Sequence, residues 1–311
     1  MTETIVQKIA IIGVGLIGSS IARASAYIGA AETIALYDAD DDARKRLATL
    51  ELGLVAESAA DACRDSDIVF ICTPVGAVKA AVEACVEGLK PGAILTDVGS
   101  VKANVAKDLS TAPGHVHVIP GHPIAGTEQS GPDAGFARLF DGRWCVLTPL
   151  DNPGEGYDDA VEVLTAFWTR LGSRVTTMDV KRHDLVLAIT SHVPHLIAYN
   201  IVATAADMEE VTRGEVVKFS AGGFRDFTRI AASDPVMWRD VFLNNKDAVL
   251  ETLGRFSEDL AALQRAIRWE DGDALHDLFK RSRGIRQSII DAGQDSAAPN
   301  FGRDAPPEDV D

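Results

Sequence analysis

The stretch Lys8-Ile9-Ala10-Ile11-Ile12-Gly13-Val14-Gly15-Leu16-Ile17-Gly18 constrains the fold more than any other part of the chain. A β-branched run enters a GxGxxG turn, and a helical pattern leaves it through Ile28. Each glycine has a steric reason: Gly13 permits the tight turn, Gly15 lets backbone approach a pyrophosphate, and Gly18 lets the helix pack on the strand. Leu16 and Ile17 open the helix, so a pyrophosphate would face their unpaired N–H groups and the positive end of the helix dipole. Glycine spacing alone fits an ordinary turn as well. The surroundings argue for more, because a second strand, Thr33–Tyr37, ends in Asp38, 20 residues beyond Gly18. A carboxylate there accepts ribose hydroxyls and repels a 2′-phosphate, which favours NAD over NADP. Downstream, Thr73 and Pro74 follow the strand Ile68–Cys72, where the chain would pass the cofactor at the carboxyl edge of a sheet.

Strand and helix signals alternate through the rest of the first half. Ala93–Thr96, His117–Ile119, Trp144–Leu147 and Arg174–Thr176 read as further strands, and Asp41–Thr49, Val75–Glu87, Val101–Leu109 and Tyr157–Leu171 as helices. Strands separated by helices imply a mainly parallel sheet. After Asp179 the strand signals stop, and helical patterns continue: Val180–Ala206, Val211–Phe219, Phe224–Ala232, Pro235–Asn244, Lys246–Trp269 and Asp273–Asp291. The expected architecture is therefore an α/β Rossmann domain with a doubly wound sheet over residues 1–178, an all-α domain over 179–293, and an acidic, proline-bearing disordered tail over 294–311. The helical part carries more apolar residues than its size requires, which suggests a subunit contact.

Composition narrows the partners. A formal net charge of −16 works against a nucleic-acid or anionic-membrane surface. Cys63, Cys72, Cys85 and Cys145 show no CxxC or zinc-like spacing, which fits reduced thiols in the cytoplasm. The apolar run Ile5–Ile17 is broken by Gln7, Lys8, Gly13 and Gly15, so neither a signal peptide nor a membrane span is expected.

Three segments concentrate reactive groups. In Asp97-Val98-Gly99-Ser100-Val101-Lys102, at a strand's carboxyl end, Ser100 suits a helix N-cap, and its hydroxyl is also placed to orient an imidazole or touch a nicotinamide. In Gly121-His122-Pro123-Ile124-Ala125-Gly126-Thr127-Glu128 a glycine-rich loop presents His122 just beyond another strand. In the helical part, Ser191-His192-Val193-Pro194-His195 is followed by Gly222-Gly223-Phe224-Arg225-Asp226-Phe227-Thr228-Arg229. Arg225 and Arg229 read either as a solvated basic face or, for Arg229 held by Asp226, as a carboxylate clamp. The pairs His192/His195 and His115/His117 raise the question of a metal, but no carboxylate or cysteine completes either pair at a familiar spacing, so no metal is expected.

With DVGSVK at Asp97–Lys102, GHPIAGTE at Gly121–Glu128, SHVPH at Ser191–His195 and GGFRDFTR at Gly222–Arg229 in this order, the chain resembles the prephenate/arogenate (cyclohexadienyl) dehydrogenases of tyrosine biosynthesis, from Lys8 to about Ala292. The resemblance implies NAD-dependent oxidative decarboxylation of an anionic ring substrate. It implies that His122 accepts the proton of the substrate's C4 hydroxyl, that Ser100 orients His122 and contacts the nicotinamide, and that Arg229 binds the ring carboxylate. It further places His195 and Ser191 along the substrate pocket, Glu128 at its entrance, and a homodimer contact in the helical domain. Two rivals are weaker. A β-hydroxyacid dehydrogenase needs a lysine in the helical domain, where Val180–Ala206 offers only Lys181 in its first turn. A non-catalytic NAD(H)-sensing module would not need Ser100, His122 and Arg229 together.

Overall fold

Along the first strand, β1 (Val6–Ile12), Ile9 and Ile11 join one apolar cluster and Ala10 and Ile12 another, and all four are buried. Side chains alternate across a strand, so a strand apolar on both sides demands cover on both faces of its sheet. The computed structural model, which describes residues 4–127, 129–151, 154–208, 218–219 and 221–291, shows that cover. On one face α1 (Leu16–Ile28) and α6 (Tyr157–Arg170) pack over Phe70, with Trp168 edge-on to its ring at 5.8 Å. On the other, α3 (Ala59–Cys63), α4 (Val78–Cys85) and α5 (Ala103–Leu109) cover Val69, Ile71 and Leu95. Burial of each such large apolar side chain contributes about 1.5–3 kcal/mol.

The main sheet is six-stranded and parallel, in the order β3 (Leu54–Val55), β2 (Ala31–Tyr37), β1, β4 (Ile68–Ile71), β5 (Ile94–Asp97), β6 (His117–Val118). Strand order reverses between β1 and β4, which makes the crevice at their carboxyl ends the ligand edge of a Rossmann fold. A second sheet holds β7 (Gly121–Pro123), β8 (Trp144–Leu147) and β9 (Arg174–Thr177), with β7 antiparallel and β9 parallel to β8. The strand β7 lies in what reads locally as a glycine-rich loop, because its register, His122 opposite Val146, is set by a partner far along the chain.

The helical half begins with α7 (Val180–Leu187), a π turn (Ala188–His192) and α8 (Val193–Met208) where the sequence suggests one α-helix. Pro194 accounts for the break: it has no N–H to give the carbonyl one α-turn back, and its ring crowds that carbonyl. A π turn absorbs the misfit by admitting an extra residue, and such turns favour functional sites. Next come α9 (Gly222–Thr228), a 3-10 turn (Arg229–Ala232), α10 (Pro235–Asn244), α11 (Lys246–Arg268) and α12 (Gly272–Asp291). Asp234 caps α10 by accepting from the Met237 N–H at 2.7 Å. Most of the pattern at Val211–Phe219, and the tail 294–311, lie outside the described residues.

By contacts the chain divides into two compact units, residues 1–249 and 250–311. The reason is packing: Trp238 and Val241 of α10 are part of the core over the β4–β5 face, so α7 to α10 share a unit with the sheet. Within the second unit α12 buries no residue, and Phe256, Leu260, Trp269, Phe279 and Ile285 are exposed. The run Val180–Met208 is long and apolar enough to cross a membrane by length and composition alone. Its buried His183, Asp184 and His192 are instead engaged in polar contacts with other elements of the same unit.

Candidate active site

The glycine turn has the geometry its motif requires. Gly13 has φ +88°, and a Cβ there would lie 2.9 Å from the Cys72–Thr73 peptide at the end of β4. A Cβ on Gly18 would sit 2.3 Å from the Gly13 carbonyl, whereas one on Gly15 would meet nothing within 4 Å. Gly15 is the N-cap of α1 and no side chain caps the helix there, which leaves the first-turn N–H groups of Leu16 and Ile17 without a capping side chain. Asp38 lies against this turn: its Oδ2 accepts from the Val14 N–H at 2.7 Å and its Oδ1 from the Asp40 N–H at 3.0 Å. Thr73 Oγ1 is buried without a hydrogen-bond partner, and Pro74 leads into a 3-10 turn at Val75–Ala77. An open N–H cradle, an orphaned hydroxyl and a ribose-side carboxylate together fit a dinucleotide.

A second cluster surrounds His122, which is 7% exposed on β7. Asp97, at the end of β5, accepts from the Gly99 and Gly121 N–H groups at 2.7 and 3.1 Å and forms a fully buried ion pair with Lys102. Lys102 Nζ also donates to the Gly121 carbonyl at 2.6 Å. A buried charge pair is tolerated only when further bonds satisfy both partners, and here those bonds clamp the residue preceding His122. Burial, then His183, Lys102 and His192, holds the His122 imidazole well below the ordinary histidine value of 6.5. It is therefore neutral at physiological pH, more firmly so than an unperturbed histidine.

Ser100 departs from its expected local roles. The N-cap of α5 is Lys102, and the capping carboxylate is Asp184 of α7, which accepts from the Lys102 and Ala103 N–H groups at 2.7 and 2.8 Å. Nor does Ser100 hydrogen-bond to His122 among the described residues. His122 Nδ1 lies instead 2.9 Å from His183 Nε2, and His183 Nδ1 2.9 Å from Asp184 Oδ1. His183 and Asp184 join the His122 cluster though no motif contains them, and Lys102 joins it from DVGSVK, where sequence reading gives it no role. A local signal existed: His183-Asp184 stand directly before the apolar run 185–189, where an ionisable pair needs a partner to be buried.

The helical segment lines up the remaining candidates. His192 accepts at Nδ1 from Asn245 Nδ2 at 3.0 Å, and Asn245 also donates to the Asp184 carbonyl at 2.9 Å. Burial pushes His192 down to about 4. His195 donates from Nδ1 to the Ser191 carbonyl at 2.8 Å, and its ring stacks on Trp238 at 3.7 Å. Ser191 thus acts on His195 through its backbone. Arg229 begins the 3-10 turn that packs on α8, the helix of His195, while Asp226 pairs with Arg225 at 3.6 Å. Glu128 lies outside the described residues. His115 bonds the Leu89 carbonyl at 3.2 Å and His117 lies edge-on to Tyr157, so these two rings have structural partners.

Comparison with known proteins agrees with this geometry. Residues 21–177 match the family described as prephenate dehydrogenase, nucleotide-binding domain, and residues 179–281 match prephenate dehydrogenase, dimerization domain. The chain is 42% identical to a cyclohexadienyl dehydrogenase of Zymomonas mobilis, over 92% of this chain and 97% of that protein. It is 32% identical to a prephenate dehydrogenase of Bacillus subtilis, over 95% of this chain and 79% of that one. The crystal structure of prephenate dehydrogenase from A. aeolicus in complex with hydroxyphenyl propionate and NAD+ superimposes with a TM-score of 0.83 at 31% identity, covering 93% of this chain and 99% of that one. Synechocystis arogenate dehydrogenase gives 0.76 at 25% identity, covering 91% and 100%. With a glycine cradle, a neutral buried histidine and both family domains in register, this chain belongs to the prephenate dehydrogenase family.

Proposed function

We propose that this chain catalyses the NAD-dependent oxidative decarboxylation of prephenate, arogenate or both, giving 4-hydroxyphenylpyruvate or tyrosine. The observation that carries the reading is His122, a neutral imidazole buried beside the carboxyl end of β5 on the edge where the glycine turn also opens. Bound at Gly13–Gly18, Asp38, Thr73 and Pro74, the dinucleotide supplies the hydride acceptor. His122 takes the proton of the C4 hydroxyl, so electron density moves from oxygen to carbon as the C4 hydride departs. The ring carboxylate leaves as carbon dioxide and the ring becomes aromatic, which makes the reaction effectively irreversible.

The other assignments rest on the family resemblance. Ser100, on the loop after β5, serves the nicotinamide side. Arg229 holds the ring carboxylate with a planar guanidinium fork. His195, braced on Trp238, lines the pocket with Ser191 and reads the substrate's side chain, and Glu128 shapes the entrance. Residues 179–293 act as the substrate-binding and dimerisation domain of a homodimer. Exposed apolar residues such as Ile189, Phe227, Leu243, Trp269 and Phe279 support that reading, as does the family's dimerisation region. Four free cysteines fit a cytoplasmic enzyme.

The test is turnover of the purified protein with prephenate and with arogenate, each with NAD and NADP, followed by absorbance of the reduced nicotinamide and release of carbon dioxide. Reduction with NAD and at least one of the two substrates is expected, with the ratio of kcat/KM values deciding the preferred ring. No turnover with either substrate sinks the proposal, and equal efficiency with NADP removes the role of Asp38.

A further inference from the structure

A neutral imidazole can serve as a base only through the nitrogen that carries no proton, so the tautomer of His122 decides whether it can act at all. The contacts around it determine that tautomer. Asp184 accepts from two backbone N–H groups at the start of α5, at 2.7 and 2.8 Å, and lies 2.9 Å from His183 Nδ1. A carboxylate only accepts, so His183 Nδ1 carries a proton. Burial keeps His183 neutral, so its Nε2 is a lone pair. His122 Nδ1, 2.9 Å away, must then be the donor of that bond, which leaves the lone pair of His122 on Nε2.

We infer that His183 and Asp184 are positioning residues for His122, forming a chain Asp184–His183–His122 that holds the base as its Nδ1–H tautomer with Nε2 ready to take a proton. The inference rests on the reading of His122 as the base. When Nε2 takes the substrate's proton, the resulting imidazolium keeps its Nδ1–H bond to His183, and Asp184 stands at the far end of the chain as its counter-charge. The groups facing the pair come from several elements: Lys102 and Asp97 from the β5 loop, His192 from the π turn, and Cys145 from β8. Because Asp184 also caps α5, the same carboxylate ties the histidine chain to the loop that carries Ser100.

Nitrogen-15 NMR of the histidine-labelled protein at neutral pH reads the tautomer directly, with the His122 signals identified by their loss in His122→Asn. A pyridine-type Nε2 and a pyrrole-type Nδ1 on His122 are expected. The reverse pattern would overturn the inference, and since it is read on the unmodified protein no folding defect can obscure it. In His183→Leu, loss of the acceptor should lower kcat on the order of 10²-fold or more while KM for the ring substrate and Kd for NAD change less than about threefold. The acid limb of kcat should also shift, because His183 is one of the groups that set the His122 pKa. Retention of the tautomer, kcat and acid limb in His183→Leu would refute the role of His183. If instead His122→Asn keeps its turnover, the base assignment fails, and the tautomer measured by NMR is untouched by that result.

Discussion

The glycine turn at Gly13–Gly18 and the histidine chain His122–His183–Asp184 sit in the same compact unit, yet they are built on opposite principles. In the turn the glycines are set largely by their neighbours, since Gly18 meets the carbonyl of Gly13 and Gly15 meets nothing, although Gly13 also meets the Cys72–Thr73 peptide at the end of a neighbouring strand. In the histidine chain His183 and Asp184 are adjacent, but the contacts that place them are remote, since His122 and His183 are 61 residues apart and Asp184 caps a helix 82 residues upstream. The cofactor side therefore depends chiefly on residues of the turn itself, and the catalytic side on the docking of α7 against α5. Substitutions in the two regions should fail in different ways.

The largest effect is expected at His122. Replacement by Asn should lower kcat by roughly 10²- to 10⁴-fold, the usual range for a general base, while Kd for NAD stays within about twofold. A parallel loss of NAD binding, measured by fluorescence titration, would erase the distinction between the two regions. Arg229 comes next. Arg229→Lys keeps the charge but not the planar fork, so losing the carboxylate pair should cost about 2 to 5 kcal/mol of substrate binding, a rise in KM of roughly 30-fold or more. If the melting temperature and NAD affinity fall in step with KM, Arg229 is holding the helices rather than the substrate.

The glycines sharpen the contrast from within. Gly15→Ala adds a methyl that touches no protein atom, so its melting temperature should be unchanged while Kd for NAD rises by about tenfold, or ~1.4 kcal/mol. Gly18→Ala drives a methyl into the Gly13 carbonyl and should cost about 1 to 3 kcal/mol of stability, read by denaturant unfolding. Equal stability loss in both variants would mean that Gly15 has a packing role.

The smallest effect is in stability against pH. His122, His183 and His192 all have pKa values lowered by burial, so in each case the unfolded chain binds the proton more readily than the folded one. Stability contributed by their neutral forms is complete above the unfolded value near 6.5 and is lost as pH falls toward the folded values, which for His192 is about 4. The melting temperature should thus decline through that interval. Removing His192 as His192→Gln should flatten the decline; an unchanged slope would mean that His192 does not contribute to it.

Some features were legible without any fold. The bounds of α1, Leu16–Ile28, follow from Gly15 before it and Gly29, at φ +67°, after it. Those of α10 follow from Asp234 and Pro235. Caps and turns act within a few residues, so a reader of the chain finds them. Ser100 looked like a cap for the same reason, and it is not one, because a carboxylate from a distant helix took the position. Likewise β7 is a strand only by virtue of β8, and the break at Ala188–His192 shows only once Pro194 must fit a packed helix.

Sequence by itself determined the dinucleotide turn and the alternation that forces a two-faced sheet, since each depends on residue type and near spacing; it also singled out His122, whose role as proton acceptor is what the family resemblance implies. Only the tertiary structure decided which partner sets the tautomer of His122, where α5 starts, and that α7 to α10 share a compact unit with the sheet. Those outcomes depend on hydrogen bonds and burial between segments 60 or more residues apart. Such bonds direct themselves by geometry that no local pattern encodes, because a carboxylate or imidazole can satisfy the same valence with many partners and the packed core selects one of them.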